Sequence, residues 1–352
     1  MSALPARYVP LDQMSGGMGT VLICDDSVLE RKVAIKFIQA QEEPRRLIDE
    51  LNALMKVRSK HVVQVYDVVD DGDRGLGIVQ EYIDGPDLIT SYSPPSTPRE
   101  YYLKIWQIAS GIADMHEVNI IHRDIKPNNM KIDHEGVIKI FDFGLAKNTS
   151  GEASTMGFIG THGFSAPELY DDNPVFTTSV DVYAFGATAL FLGTGGLPRE
   201  VAQSYSNPVP DYLFTSFHFG ISGEIARLLQ ATLSHSPADR PTMRVVKDAL
   251  EKYILHGQHQ ALVVHKDKST HLNSRRSNIT LSVEGVGILE VVYDGMDFII
   301  EKAEGEVSMN NAAVLAGALI PESCVLAIGG NHRKPWERSF ITFDLSHPEI
   351  NL

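Results

Sequence analysis

The chain has 352 residues, 43% of them hydrophobic and 22% charged, with a formal net charge of −14. That length exceeds one ordinary core and predicts two domains, or one large domain with an appendage, while the apolar content excludes wholesale disorder. The acidic balance argues against nucleic acid as a partner, because a phosphate backbone attracts basic surfaces.

Residues 1–10 lack the charged start and apolar run of a secretory signal. The longest apolar stretch, around residues 182–192, is too short for a membrane span and carries Gly186, with Gly193 just after it. Cys24 and Cys324 stand far apart and follow no metal-ligand spacing, as in a reduced cytosolic protein. The expectation is a soluble cytoplasmic chain with no membrane partner.

In chain order, residues 20–24, 32–38, 62–69 and 76–82 read as strands, being β-branched runs bounded by Gly, Asp and Ser. A helix interrupts them, with Pro44 in its first turn and Leu47, Leu51, Leu54 and Met55 at helical spacing. After Pro98 the character changes. Tyr102, Ile105, Ile108, Ala109, Ile112 and Met115 form one stripe over residues 101–117, which predicts a core helix. Further helices fit 180–192, 221–233 and 244–255. Residues 255–276 are polar and rich in His, Lys and Arg and read as a linker. Its histidines (His256, His259, His265, His271) have no regular metal spacing. Beyond it, 278–283, 287–292, 298–302, 324–329 and 339–343 read as short strands, and 312–318 as a turn or two of helix. The fold class expected is α+β, with a separate, small β-rich domain over 277–352.

Several runs carry chemistry. Met14-Ser15-Gly16-Gly17-Met18-Gly19-Thr20-Val21 lies at a turn between strand-like runs, and backbone amides in such a turn can approach phosphate oxygens because no Cβ obstructs them. Taken alone it also suits a plain hairpin. Val33-Ala34-Ile35-Lys36 ends a strand on a lysine that needs an anion. Glu50 shares the apolar face of the following helix and supplies one, since a buried Glu and Lys are costly unless paired. His122-Arg123-Asp124 opens a loop that reaches Asn129. Asp142-Phe143-Gly144 follows a strand at 137–140. Two loops joined by a hairpin set Asp124, Asn129 and Asp142 round one cleft. There a carboxylate can accept a hydroxyl proton, and Asn and Asp oxygens can hold Mg²⁺.

With these runs in this order, and with Ala166-Pro167-Glu168, Asp181-Val182-Tyr183-Ala184-Phe185-Gly186 and Pro237-Ala238-Asp239-Arg240-Pro241 after them, the sequence resembles a eukaryotic-type (Hanks-type) Ser/Thr protein kinase over roughly residues 8–254. The compact large lobe and the region round Thr155 look bacterial or phage-like. The resemblance implies a bilobal fold over 1–254, with a β-rich small lobe to about residue 83 and a helical large lobe from 84. It implies ATP and Mg²⁺ as cofactors and proteins with Ser or Thr as substrates. Lys36 would contact the α- and β-phosphates, braced by Glu50. Asp124 would deprotonate the hydroxyl, and Lys126 would neutralise the transferring phosphoryl. Asn129 and Asp142 would bind the metal. Residues 14–19 with Val21 and Ala34 would enclose the nucleotide, Glu81 to Ile83 would hold adenine through the backbone, and Asp87 would reach the ribose.

Met14 replaces the family's first loop glycine, which alters the loop edge near adenine and leaves the charged positions filled. Lys126, and Gly160-Thr161 ahead of Ala166, resemble the Ser/Thr branch. Arg123 before Asp124 resembles kinases whose activation loop is ordered by phosphate. Thr155 is the first candidate for such a phosphate, with Ser154 and Thr149 after it. Residues 277–352 match no family and read as a structural, partner-binding or dimer-forming domain. Trp336 with His332-Arg333-Lys334 reads as a scattered surface cluster. An ATP-binding scaffold without catalysis is the competing reading.

Overall fold

In the computed structural model the residues described are 4–16, 19–37, 51, 55–72, 74–142, 147–148, 163–171, 174–202 and 208–348; of 14–16, 19, 147 and 148 only the backbone is described. The chain divides into two compact units, Met1–Lys247 and Asp248–Leu352.

The first unit opens with five strands, β1 (Tyr8–Gly16), β2 (Gly19–Asp26), β3 (Arg31–Phe37), β4 (Val65–Asp70) and β5 (Leu76–Glu81). They form one antiparallel sheet in the order β1-β2-β3-β5-β4. Alternation decides which face is buried. Val33 and Ile35 are fully buried and pack with Leu22, Cys24, Phe37, Val69 and Val79. The expected helix with Glu50 lies outside the described residues, apart from Leu51, which is buried, and Met55, which is exposed.

Helix α1 (Pro98–Glu117) starts where the Thr97 side chain accepts from the Glu100 N–H and Pro98 takes the first turn, where its missing N–H costs nothing. Its buried stripe includes Tyr101, Ile105, Ile108, Ile112 and Met115. Then come three short strands, β6 (Ile120–Ile121), β7 (Met130–Ile132) and β8 (Ile138–Ile140), and β9 (Lys147–Asn148), which pairs with β6. Helix α2 (Thr178–Thr194) is apolar nearly all round, as a helix buried on every side must be. Gly186 lets α3 (Gly223–Thr232) approach it; a Cβ there would fall 2.1 Å from Thr232 Oγ1. Helix α4 (Met243–Leu255) runs across the division between the units.

The second unit is built from strands. β10 (Ala261–His265), β11 (Lys268–Leu272), β15 (Val307–Met309), β16 (Ala312–Ala313), β17 (Ser323–Ile328) and β18 (Ser339–Leu345) form a six-stranded sheet. β12 (Asn278–Val283), β13 (Gly287–Tyr293) and β14 (Phe298–Gly305) form a second sheet, and both line one core with Val263, Leu289, Val291, Phe298, Ile300, Leu326, Ile341 and Phe343.

Two expectations are corrected here. Residues 255–276 are not a linker, because Ala261, Val263 and Leu272 are buried in this core. Their alternation is masked because apolar Leu262 and Val264 take the outward positions of β10, while His265 and Lys268 fall on the inward side. Two of those histidines are structural. His259 bonds Ser346 Oγ at 2.7 Å and packs against Phe298, His265 bonds Ser339 Oγ at 2.6 Å, and burial lowers the pKa of both. Nor do residues 312–318 form a helical turn. Asn310 and Asn311 adopt positive φ ahead of the two-residue strand β16, and Asn tolerates that region where most side chains do not. In the basic cluster, Arg333 is tied to Glu306 at 2.7 and 2.8 Å. That hydrogen bond holds the carboxyl down to about 2.

Candidate active site

The Gly-rich segment is the tip of the β1–β2 hairpin, with Met14 opposite Val21, Ser15 opposite Thr20 and Gly16 opposite Gly19. Gly17 and Met18, at the tip itself, lie outside the described residues. Lys36 sits on β3 between Val21 of β2 and Ile78 of β5, and Ala34 sits two residues before it on the same strand. The Lys36 ammonium pairs with the Asp142 carboxylate, so the small sheet and the segment after β8 are joined by charge. Glu50, the partner expected for Lys36, is outside the described residues.

The loop after β6 carries the other charged groups. Lys126 Nζ lies 2.7 Å from Asp124 Oδ2, and Asn129 Nδ2 donates to that same oxygen and to the Asp124 carbonyl, both at 2.8 Å. Asp124 and Asn129 are both 5% exposed. With the Asn129 amide nitrogen committed to Asp124, its amide oxygen is the atom left for a cation. The Asn129 carbonyl accepts from the Phe141 N–H at 3.0 Å, and His122 Nε2 bonds the Phe141 carbonyl at 3.1 Å. The two loops are therefore stitched at Phe141, one residue before Asp142. Burial lowers the His122 pKa. As a neutral ring it accepts the Asp124 N–H at Nδ1, at 3.3 Å, and donates from Nε2.

Beneath this loop lies a group the sequence reading did not single out for a role. Asp181, in the first turn of α2, is fully buried. It accepts the His122 and Arg123 backbone N–H groups at 2.8 Å each, and His116 Nε2 bonds it at 3.0 Å. Burial pushes its pKa up, but the bond from His116 and the neighbouring histidines and amides bring it below the ordinary 3.8. The available signal was a carboxylate at the start of a near-continuous apolar helix, since such a charge needs partners. Arg123 and Asp142 both have φ of +70°, a left-handed backbone that costs non-glycine residues energy and clusters at functional sites.

Glu168 and Arg240 form a bidentate pair, at 2.7 Å for both oxygens, and Arg240 also donates to the carbonyls of Ser179, Ser234 and His235. At the end of β5, the Glu81 side chain pairs with Lys139 at 2.7 Å, and the Ile83 carbonyl accepts from Lys131 at 3.4 Å. Asp87 is engaged locally, its oxygens accepting from the Ile89 and Thr90 amides and the Thr90 hydroxyl at 2.8–3.0 Å. Gly85 has a steric cause, since a Cβ there would fall 1.9 Å from the Ile132 carbonyl. Thr149, Ser154, Thr155 and Thr161 lie outside the described residues.

Among the described residues no three His, Cys, Asp or Glu side chains gather as a metal cluster. One carboxylate and one amide oxygen fit Mg²⁺, which binds few protein oxygens and keeps waters and phosphate oxygens for the rest. The two stitched loops thus carry the carboxylates of Asp124 and Asp142, each beside a lysine ammonium, and the Asn129 amide oxygen.

A family model described as "Protein kinase domain" matches residues 14–253. The serine/threonine-protein kinase drp72 of Corynebacterium efficiens is 32% identical over 244 residues, covering 64% of this chain and 46% of that protein. PrkC of Bacillus subtilis is 29% identical over 301 residues, 83% of this chain and 44% of its own, and PknA of Corynebacterium glutamicum is 33% identical over 244 residues, 64% and 51%. The chain spans about half the length of the curated relatives it matches. A matching segment of this extent, with the family's signature runs in order within it, places the chain in the protein kinase family, among the serine/threonine kinases of Hanks type.

Proposed function

We propose that the protein transfers the γ-phosphoryl of ATP to Ser or Thr hydroxyls of proteins. The observation that carries this reading is the joined set of Lys36–Asp142 and Lys126–Asp124–Asn129, a cation beside each of the two carboxylates the chemistry needs. Asp124 takes the hydroxyl proton as the oxygen bonds to the γ-phosphorus and the bond to the leaving ADP oxygen breaks. Lys126 faces the charge on the transferring group. Lys36, released from Asp142, holds the non-transferred phosphates. Mg²⁺ bound by Asn129 and Asp142 would supply charge neutralisation on the phosphate oxygens. The β1–β2 tip covers the phosphates, and the backbone from Glu81 to Ile83 takes adenine. Since catalysis here is positioning and charge, loss of one such group costs several orders of magnitude in rate.

Autophosphorylation of the segment after Asp142, at Thr155 before Ser154 and Thr149, belongs to the same proposal, with Arg123 receiving the phosphate. So does the cytoplasmic setting. The test is incubation with labelled ATP and Mg²⁺ beside Asp124→Ala, followed by site mapping. Label in the parent and none in the variant is expected. ATP binding without label in either would replace catalysis with the scaffold reading.

A further inference from the structure

Sheets end in edges, and an edge strand leaves a row of backbone donors and acceptors open to another chain unless charge, proline, a bulge or a covering segment blocks it. Most edges in this molecule carry such a block. β1 has Pro10, Asp12 and an irregular register between them. β4 has Asp67, Asp70 and a register shift at Val65/Asp67. β11 has Lys268 and His271, β16 is two residues long, and β14 is covered by backbone bonds from residues 317–320.

β12 has no such block. Its six residues, Asn-Ile-Thr-Leu-Ser-Val, contain no charge and no proline, and among the described residues it pairs on one side alone, with β13. The Ser277 and Val283 carbonyls accept from Tyr293 and Val286, so the odd-numbered residues turn their backbone towards β13. The even-numbered ones, Asn278, Thr280 and Ser282, turn their N–H and C=O outward, and their side chains are exposed.

The flanking charges select an occupant. Arg276 lies four residues before Thr280 and Glu284 four after it, and both are exposed. If a second copy adds its β12 antiparallel about Thr280, Thr280 faces Thr280 and Asn278 faces Ser282. Each Arg276 then meets the other copy's Glu284. Within β12 every opposed pair in that register is uncharged, and the flanking Arg276–Glu284 pair is of opposite charge, which favours cross-strand neighbours. The contact is also self-complementary, as a two-fold interface requires. We propose that two copies of this chain associate through β12 in this register, joining two three-stranded sheets into one of six.

The experiment is sedimentation velocity of the full chain over a dilution series. The expected result is a dimer that dissociates on dilution. Thr280→Pro removes an outward N–H and no bond to β13, so it should shift the chain to monomer with an unchanged circular dichroism spectrum. Arg276→Glu and Glu284→Arg should each weaken the dimer about tenfold, and the double exchange should restore it to within about threefold. The charge variants keep the test decisive should Thr280→Pro fold poorly. A chain monomeric at every concentration, leaving the edge to a different partner, would overturn the proposal. So would a dimer indifferent to the charge exchange.

Discussion

At the scale of single residues, Asp181 shows how a buried charge becomes a structural tool. Its two oxygens take both backbone amides that open the loop carrying Asp124, at His122 and Arg123, and so hold the backbone just before it. Replacement by Asn keeps the volume but aims an NH₂ group at one of three donors, leaving that donor unsatisfied. Asp181→Asn is expected to cost about 2–4 kcal/mol in stability. A urea titration reads that loss, and phosphotransfer should fall with it while ATP affinity holds. Unchanged stability would mean that the loop is held by other contacts. Lys36, Asp124, Lys126, Asn129 and Asp142 were all legible as candidates from their motifs. Asp181's partners were not, because His116, His122 and Arg123 are brought to it from distant positions in the chain.

At the scale of elements, Arg240 joins the turn before α4 to the segment holding Glu168 and to the first turn of α2. A lysine could keep the charge but not the planar fork that serves two carboxylate oxygens and three carbonyls. Arg240→Lys should lower the stability of the first unit by about 1–3 kcal/mol, the cost of leaving buried acceptors unsatisfied. The fall should appear as an earlier denaturant midpoint. A shift below about 0.5 kcal/mol, ordinary for surface positions, would refute that role. Element type was readable wherever the period was clean. α1 announces itself through its apolar stripe and Thr97-Pro98. β10 and β11 did not, because Leu262 and Val264 face outward while His265 and Lys268 share the inward side, so no apolar–polar alternation shows.

At the scale of the whole molecule, the two units have separate cores. Phe343, 1% exposed, belongs to the second. Phe343→Ala should destabilise that unit by about 3–5 kcal/mol. Hydrogen exchange should then quicken in β10–β18, while nucleotide binding by the first unit is retained. Loss of nucleotide binding in parallel would show that the units fold as one. Among the described residues no helix is long and apolar enough to cross a membrane.

By itself the sequence determined the family and the helical periods of the large lobe. Motif order and local periodicity are properties of the chain, present before it folds. Only the tertiary structure decided that Lys36 meets Asp142, that Asp181 braces the loop carrying Asp124, and that residues 261–272 complete a sheet with β18. These depend on which strands pair and which buried polar groups find one another. Such choices are settled by packing among segments far apart in sequence, where local spacing carries no signal.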